Sequence, residues 1–421
     1  MTSFKTSTVL VLLVFAVICG PLILSQSHSN YSWDEQQYHL PAVRQIEANW
    51  PKLDISADSL SATAPGYHYF LATWSQVTGS QTRVLRFLNW CVSAGLLVVL
   101  LRQTGLRDLR CAALVVAPLF CSNFFVKSAS WVVTDNAALL VMLLAILSLT
   151  PGGNSSVKVA SIWSTLAVFT RQTYLWLILP IAWCAWFDGK SSPRLARMGR
   201  LALAFMPVLV VGILVLHWGG LVPPRWTAAS VPDSSFSLTP IAYILAMFGI
   251  FGPCFVWLAD SRSLAAWMGS RLVRGGILFG FVVGLVARSD YDYEAGRWGG
   301  YLWEFSRMLP TPAGRSPLIM LLAAWGGGVL GTLVEVLLGR IGKRGTLLWV
   351  IAIGAWSISF LPNRQIFQRY YEPPILIFLI IWFGWLSLSH ASIGKRWKPL
   401  IGLSVAQIVL TFATAHWRAL G

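Results

Sequence analysis

The sequence predicts an all-α protein that crosses a membrane many times. Of its 421 residues, 56% are hydrophobic and only 11% are charged, whereas a soluble domain carries about 25% charged residues. The apolar residues stand in long, repeated runs, as membrane-spanning helices require. The alternating segments of about ten residues that mark a membrane β-barrel are absent from the sequence.

Thirteen apolar runs are candidate spans, although several are shorter than the ~20 residues that cross a bilayer. They cover residues 8–24, 87–101, 111–126, 137–150, 159–170, 174–187, 201–217, 238–258, 276–287, 317–338, 347–361, 373–389 and 399–416. We therefore expect about thirteen transmembrane helices in one domain of residues 1–421. In the polar interval 25–86 we expect one or two short helices lying on the membrane, the second over Pro65 to Val77.

The net charge of +16 indicates membrane topology and not a nucleic-acid partner. With a cytoplasmic N-terminus, the cytoplasmic loops hold more than half of the 32 basic residues but only a quarter of the 16 acidic ones. This asymmetry follows the positive-inside rule. The opposite loops are nearly neutral and rich in paired charges, so we expect the chemistry there, with membrane lipids as the surroundings.

All six cysteines lie within or beside apolar runs, and the sequence has no CxxC motif. They are interpreted as small buried hydrophobic residues, so neither a disulfide framework nor a zinc site is predicted. The first apolar run lacks a convincing small-residue cleavage site, so we expect it to be retained.

Two adjacent carboxylates, Asp34 and Glu35, follow the first apolar run in a chain that is poor in acids. A carboxylate at the membrane surface is suited to accept the proton of a sugar hydroxyl during glycosyl transfer. We therefore predict both as catalytic residues, with His39 and Arg44 close behind as substrate-binding residues. A solvated pair, or a cap for a helix that begins near Gln36, is the structural alternative.

Three further residues that we predict to bind substrate flank apolar runs on the same side of the membrane as the acidic pair. Asp135 precedes an apolar run, where its simplest role is to cap a helix. Arg171 and Gln172 interrupt the apolar stretch from Leu166 to Pro180. An arginine there either snorkels to the interface or binds a phosphate group.

A polar segment between the apolar runs 347–361 and 373–389 contains Arg364, Arg369 and Tyr370. The two arginines are placed to meet a lipid phosphate at headgroup depth, and we predict all three residues as substrate-binding. Ordinary interfacial anchoring is the alternative.

Three other features receive weaker interpretations. Trp33 and Trp298 are candidates for stacking on a sugar ring, although most tryptophans here fit an aromatic belt at the interface. The acids of loop 288–298 alternate as in a calcium loop, but Ala295 and Tyr301 occupy positions where that loop needs Gly and Glu. No metal site is therefore predicted. Glycines at 276, 280 and 284 predict close helix packing.

Four segments occur in the same order as in a known family. They read WDEQQYHLPAVRQI, TAPGYHYF, LRFLNW and FTRQTYLW. Together they resemble the dolichyl-phosphate-glucose-dependent α-1,2-glucosyltransferases over residues 33–176. The later segment RQIFQRYYEPP also resembles bacterial C-type transferases that build surface polysaccharides, which would imply an undecaprenyl-type carrier and another acceptor.

The resemblance implies the C-type glycosyltransferase fold and inverting transfer of a hexose, glucose in the named family, from a polyprenyl-phosphate donor to a lipid-linked glycan. It implies a site on the non-cytoplasmic side, with Asp34 as base, Glu35 and His39 near the acceptor, and Arg171 and Gln172 near the donor. It implies no nucleotide and no metal cofactor. The membrane would be the endoplasmic reticulum in a eukaryote and the inner membrane in a bacterium.

Two other functions stay open at the level of sequence. A flippase or transporter of lipid-linked sugars would place ionisable residues in cavities at mid-span, whereas here the charges gather at loop boundaries. A transferase that glycosylates protein fits the acidic pair equally well.

Overall fold

The structure is a computed structural model that describes residues 2–25, 30–52, 59–106, 109–149, 156–187, 193–226, 236–259, 264–290, 298–363, 365–385 and 396–416. The described chain is predominantly helical. Its first eight α-helices are α1 Thr2–Leu24, α2 Asn30–Asp34, α3 Leu40–Asn49, α4 Gly66–Thr78, α5 Thr82–Gln103, α6 Leu109–Phe120, α7 Asn123–Ser130 and α8 Asp135–Leu147.

Eleven further described α-helices follow. They are α9 Val157–Thr170, α10 Ile178–Phe187, α11 Arg194–Ala204, α12 Met206–Trp218, α13 Thr239–Ala259, α14 Leu264–Gly269, α15 Arg271–Val286, α16 Tyr301–Arg307, α17 Pro317–Ser359, α18 Glu372–Trp385 and α19 Lys398–Thr411. Short 3-10 helices cover Gln172–Leu177, Pro312–Gly314 and Gln368–Tyr370, and π-helical turns cover Glu35–His39 and Phe412–His416. Two short strands, β1 Trp298–Gly299 and β2 Ile366–Phe367, pair in parallel.

The described helices make this an integral membrane protein. Four are long and apolar enough to cross a bilayer: Thr82–Gln103, Thr239–Leu258, Pro312–Ser359 and Lys398–Ala415. The number rises to six if each of two bent helix pairs, α6 with α7 and α11 with α12, forms one span. The predicted runs do fall on helices, but a count of about thirteen spans is not confirmed. Two of those runs belong to α17, which has a break in helical geometry at Gly342.

The chain forms two compact units. The first unit comprises Met1–Val11, Val98–Phe124 and Ser235–Val409, and the second comprises Leu12–Leu97, Phe125–Ser234 and Leu410–Gly421. The expectation of a single functional domain stays a prediction.

In the first unit, glycines bring α15 and α17 into backbone contact. A Cβ atom added at Gly276 or at Gly280 would lie 2.1 Å from the carbonyl oxygen of Gly327 or Ala323, respectively, and one at Gly284 would lie 2.8 Å from the Cα of Met320. No real side chain fits at such distances. The prediction of close packing by these three glycines is confirmed.

An apolar cavity of about 340 Å³ lies in the same unit. Its lining comes from α13, α15, α17 and α18 and is almost entirely aliphatic and aromatic, with Ser357 among its few polar side chains. The cavity contains no titratable side chain, so it offers space for an apolar group and no acid–base chemistry.

In the second unit, the interval 25–86 is more helical than the sequence predicts. Beyond the expected helix over Pro65 to Val77, observed as α4, it contains α2, α3 and a π-helical turn at Glu35–His39. Pro41 lies in the first turn of α3. Because proline has no N–H, Pro41 donates no bond to the residue four positions earlier. The N–H of the preceding residue, Leu40, donates five positions back to the carbonyl of Glu35, which is the bond of a π-helical turn.

Buried apolar side chains of α3 and α4 share one core with residues of α5 and α8. It contains Leu40, Val43, Ile46, Tyr67, Leu71, Ala72, Leu85, Val132 and Ala137. This core holds the π-helical turn against the rest of the second unit. Of the six cysteines, four are buried as expected, whereas Cys91 is exposed on α5 and Cys254 is half-buried.

Replacing Gly280 with Ala should destabilise the protein. The added methyl group would displace the backbone of α17, and overpacking of this kind costs about 1–3 kcal/mol. We expect the thermal unfolding midpoint in detergent, followed by tryptophan fluorescence, to fall by several degrees. Gly275→Ala is the matched control because a Cβ at Gly275 has no atom within 4 Å. Equal midpoints for the two variants would contradict the proposed packing.

Candidate active site

Glu35 forms a buried ion pair with Arg86 in the second unit. The Glu35 side chain is fully buried, and its Oε1 and Oε2 accept from Arg86 Nε at 2.9 Å and 3.1 Å. Oε2 also accepts from Arg86 Nη2 at 2.5 Å, and Oε1 from the backbone N–H of Val132 at 2.8 Å. Arg86 Nη1 donates to the carbonyls of Ile23 and Ser25. Both charged groups are thus hydrogen-bonded by protein.

Asp34 differs from its neighbour because its side chain is only half-buried. It lies at the junction of α2 and the π-helical turn and makes no capping bond to a helix. The alternative that Asp34 caps a helix is therefore wrong. Of the two predicted catalytic carboxylates, Asp34 is the accessible one, whereas Glu35 faces Arg86.

Tyr38, one helical turn after Asp34, belongs to a cluster of three aromatic rings. The ring of Tyr38 meets the rings of Trp33 and Trp226 edge-on, with centroids 5.1 Å and 4.9 Å apart. Partial burial, and then the nearby Asp34 carboxylate, raise the pKa of Tyr38, whereas the guanidinium of Arg225 lowers it. Asp34 and Arg225 therefore act on the same phenol and lie on one partly exposed surface. Sequence reasoning missed Arg225, which belongs to no quoted motif.

Gln172 holds the segment that carries Arg225. Its Nε2 donates to the carbonyls of Ala62 and Leu221, each at 2.9 Å, and its Oε1 accepts from the N–H of Ala64 at 2.9 Å. The segment is also held by a hydrogen bond from Trp226 Nε1 to the carbonyl of Ser59 at 3.2 Å. The amide of Gln172 is therefore occupied by backbone groups, which makes it a positioning residue in this structure.

Arg171 donates a hydrogen bond to the carboxylate of Asp135, and the two form a largely buried ion pair. The N-cap of α8 is Thr134, and Asp135 is the first residue of the helix. The interpretation of Asp135 as an N-cap is therefore wrong, because its carboxylate binds Arg171. The pairing also explains how a guanidinium is tolerated within an apolar stretch.

His39 and His68 form a buried pair. Nδ1 of His39 lies 2.9 Å from Nε2 of His68, and the two rings are stacked. Burial lowers the pKa of His68 from 6.5 to about 4, so His68 is neutral at pH 7. A ring nitrogen of one histidine therefore donates to the other without a net charge on His68.

Tyr67 and Asn89 form a second buried polar contact. The hydroxyl of Tyr67 donates to Asn89 Oδ1 at 2.6 Å, and Asn89 Nδ2 donates to the carbonyls of Ser128 and Trp131, each at 2.6 Å. Neither Asn89 nor Arg86 received a role from the sequence, although both stand in the quoted segment LRFLNW. An Asn and an Arg within an otherwise apolar helix are the signal in the sequence that could have identified them.

The four segments that carry the family resemblance contact one another. The first meets the third through Glu35 and Arg86, and the second through His39 and His68. The second segment meets the third through Tyr67 and Asn89. It meets the fourth through the N–H of Ala64 and Oε1 of Gln172. Residues far apart in sequence are therefore brought into contact within the second unit.

The remaining predicted residues are Arg44, Arg364, Arg369 and Tyr370. Arg44 is exposed on α3, and Arg364 lies outside the described residues. Arg369 and Tyr370 belong to the first unit, where Arg369 Nη2 donates to the hydroxyl of Tyr370 at 2.9 Å.

Gln368 and Glu372 anchor the turn that carries Arg369 and Tyr370. Gln368 Nε2 donates to Glu372 Oε2 at 2.7 Å, and Gln368 Oε1 accepts from the N–H of Leu302 at 3.1 Å. Ser122 and Gln407 donate to the other oxygen of Glu372. Glu372 is thus a buried carboxyl group that accepts hydrogen bonds from three uncharged side chains.

Trp298, a candidate for sugar stacking, already stacks one face on Trp303, with ring centroids 4.5 Å apart. In the loop with alternating acids, Asp290 accepts from Arg288 at 2.9 Å, and positions 291–297 lie outside the described residues. Within the described part of the chain, no group of three or more His, Cys, Asp and Glu side chains is arranged to hold a metal ion.

Comparison with known proteins gives one structural similarity. No family model matches the chain, and no curated protein matches its sequence. The chain is similar in structure to ArnT from Cupriavidus metallidurans, whose crystal structure contains bound undecaprenyl phosphate. The sequence identity is 12% and the TM-score is 0.39, with 92% of this chain and 77% of that chain covered.

Replacing Arg86 with Met should strongly destabilise the protein. The change leaves Glu35 buried without a counter-charge, and breaking a buried pair in this way costs about 3–5 kcal/mol. The thermal unfolding midpoint in detergent should fall by many degrees, and adding Glu35→Gln should restore part of the loss.

Arg83→Met is the matched control, because Arg83 is exposed on the same helix and its loss should change the midpoint little. If Glu35→Gln and Arg86→Met were additive in the double variant, the two side chains would not interact, and the ion pair would be refuted.

Acidification should destabilise the protein through His68. Its pKa is about 4 in the folded chain and 6.5 without burial, so the unfolded chain binds the proton first. The free energy of unfolding should therefore decrease as the pH falls from 6.5 to 4, by at most about 3 kcal/mol. Unfolding midpoints across this range should show a shallower pH dependence in His68→Gln. The exposed His217→Gln should keep the wild-type slope, and a wild-type slope in both variants would argue against His68.

Proposed function

We propose that this protein is a membrane glycosyltransferase that moves a hexose from a polyprenyl-phosphate carrier to a glycan acceptor. The observation that carries the proposal is the surface around Asp34. There an accessible carboxylate, a guanidinium and three aromatic rings lie together beside a rigid, buried ion pair. Carboxylates supply the base of glycosyl transfer, and aromatic rings present apolar faces on which sugars stack.

In the proposed step, the acceptor hydroxyl attacks the anomeric carbon of the donor sugar from the side opposite the phosphate. The new carbon–oxygen bond forms as the bond from the anomeric carbon to the phosphate oxygen breaks, which inverts the anomeric configuration. Asp34 takes the hydroxyl proton. A half-buried carboxylate suits this role because it is reachable by substrate yet partly shielded from water.

The leaving group needs a cation because its charge rises during the step. The donor phosphodiester carries one negative charge, and the released lipid phosphate monoester approaches two. Arg225 is the exposed guanidinium in the second unit that acts on the same phenol as Asp34, so we assign it to this phosphate. Arg171, paired with Asp135, is a further proposed contact of the donor. The binding of substrate by Arg364, Arg369 and Tyr370 stays a prediction from the sequence.

Glu35 has a positioning role in this proposal. Its bonds to Arg86 and Val132 fix the first residue of the π-helical turn, and thereby the direction of Asp34 one residue earlier. Gln172 acts in the same way on the segment of Arg225. His39 is fixed through His68, and with Arg44 it is proposed to border the acceptor.

The finer assignments follow from the family resemblance and remain proposals. They are glucose as the sugar, an α-1,2 linkage, a lipid-linked oligosaccharide as acceptor, a site on the non-cytoplasmic side, and activity without a metal. A dolichyl carrier would place the protein in the endoplasmic reticulum, and an undecaprenyl carrier in a bacterial inner membrane.

Asp34→Asn should abolish sugar transfer without unfolding the protein. Loss of a general base lowers the rate by about 10²–10⁴-fold. The assay uses purified protein in detergent with a panel of polyprenyl-phosphate sugars and lipid-linked or protein acceptors, and measures the new glycosidic product by mass spectrometry.

Glu304→Gln is the control for loss of a carboxylate, because Glu304 is an exposed side chain paired with Arg307. It should keep wild-type turnover. Near-wild-type turnover in Asp34→Asn would refute Asp34 as the base. If the protein transported a lipid-linked sugar in proteoliposomes and formed no new glycosidic bond, it would be a transporter and not a glycosyltransferase.

A further inference from the structure

Two arginines lie on the inward face of helix α11 in the second unit. Arg197 and Arg200 are half-buried, one turn apart, on the same side as the buried Ala204. The opposite face exposes Leu195 and Met198, 82% and 56% accessible. The amphipathic helix therefore turns apolar side chains outward and two cations inward, the reverse of a helix on the surface of a soluble protein.

Several donors on this inward face have no acceptor. Nε of Arg197, and both Nε and Nη2 of Arg200, are buried and without a hydrogen-bond partner among the described residues. Nε1 of Trp183, on the adjacent helix α10, is in the same state. One turn further along α10, Trp186 stacks beneath the guanidinium of Arg197 at 5.3 Å. Each buried donor without an acceptor costs about 1–3 kcal/mol, and more when it is charged.

The surrounding helices supply no counter-charge. The described residues of α9, α10 and α11 contain no Asp or Glu, whereas Lys158 adds a further positive charge at the start of α9. The nearest acid in sequence, Asp188, lies outside the described residues. The positive-inside rule assigns these basic residues to the cytoplasmic side of the membrane, away from the proposed reaction.

We propose that helices α10 and α11 together bind the phosphate group of an anionic phospholipid. Nε and Nη2 of Arg200 form the edge of a guanidinium that binds two phosphate oxygens at once. The indole N–H of Trp183 and Nε of Arg197 supply further donors. A lipid fits better than free phosphate because Leu195 and Met198 are exposed on α11, and the exposed Phe205 directly follows it. These side chains offer apolar contact to acyl chains.

The test is native mass spectrometry of delipidated protein in detergent, titrated with phosphatidylglycerol. We expect at least tenfold weaker binding of the first lipid in Arg197→Gln/Arg200→Gln than in the wild type. Arg271→Gln/Arg274→Gln is the matched control, with the same spacing and charge change on exposed side chains of α15. Its affinity should lie within twofold of the wild type.

Arg197→Lys/Arg200→Lys keeps both charges and serves if the glutamine variant does not fold. It should still bind less tightly than the wild type, because lysine lacks the two-donor edge. Equal losses in the two glutamine variants would show non-specific charge attraction and overturn the proposal. The proposal would also be overturned if inorganic phosphate bound as tightly as phosphatidylglycerol. If no lipid binds, and Asp188→Asn destabilises the protein as much as the glutamine variant does, the arginines pair with Asp188 and the proposal is wrong.

Discussion

The buried ion pair of Glu35 and Arg86 is the constraint on which the candidate site depends. A carboxylate and a guanidinium can be removed from water only if each finds the other and every remaining polar atom finds a partner. Here Arg86 binds both oxygens of Glu35 and two carbonyls at the C-terminal end of α1, while Val132 donates to Glu35 from the segment before α8. Three parts of the second unit are thereby held at one point. Asp34, one residue away, takes its position from that point.

The same logic extends to the other polar side chains of an otherwise apolar chain. Gln172, Asn89, His39 and His68 each bond to a group distant in sequence. Apolar packing alone is weakly directional, whereas a buried hydrogen bond loses most of its value if its partner shifts. These few bonds therefore determine which loops meet, and they bring the segment of Arg225 to the surface that carries Asp34. In the first unit, glycines let the backbones of α15 and α17 touch, and this close fit determines which helices pack together.

The sequence by itself determined the membrane class, the positions of the apolar helices and the close packing of the three glycines. These features depend on local composition: apolar runs, prolines, and small residues at helical spacing. It also singled out the acidic pair, since acids are rare in this chain. It did not determine the number of spans, because several helices are shorter than a bilayer or bent.

Only the tertiary structure decided which partners the candidate site residues have. Asp34 and Glu35 are adjacent and chemically alike, and burial by Arg86, 51 residues away, separates them into an accessible carboxylate and a structural one. In the structure, Arg171 is likewise paired with Asp135, and the amide of Gln172 bonds to backbone groups. Arg225, which the sequence did not single out, acts on the same phenol as Asp34. Each outcome depends on which partner occupies the space beside a side chain. That depends on contacts between distant segments, which composition and spacing do not encode.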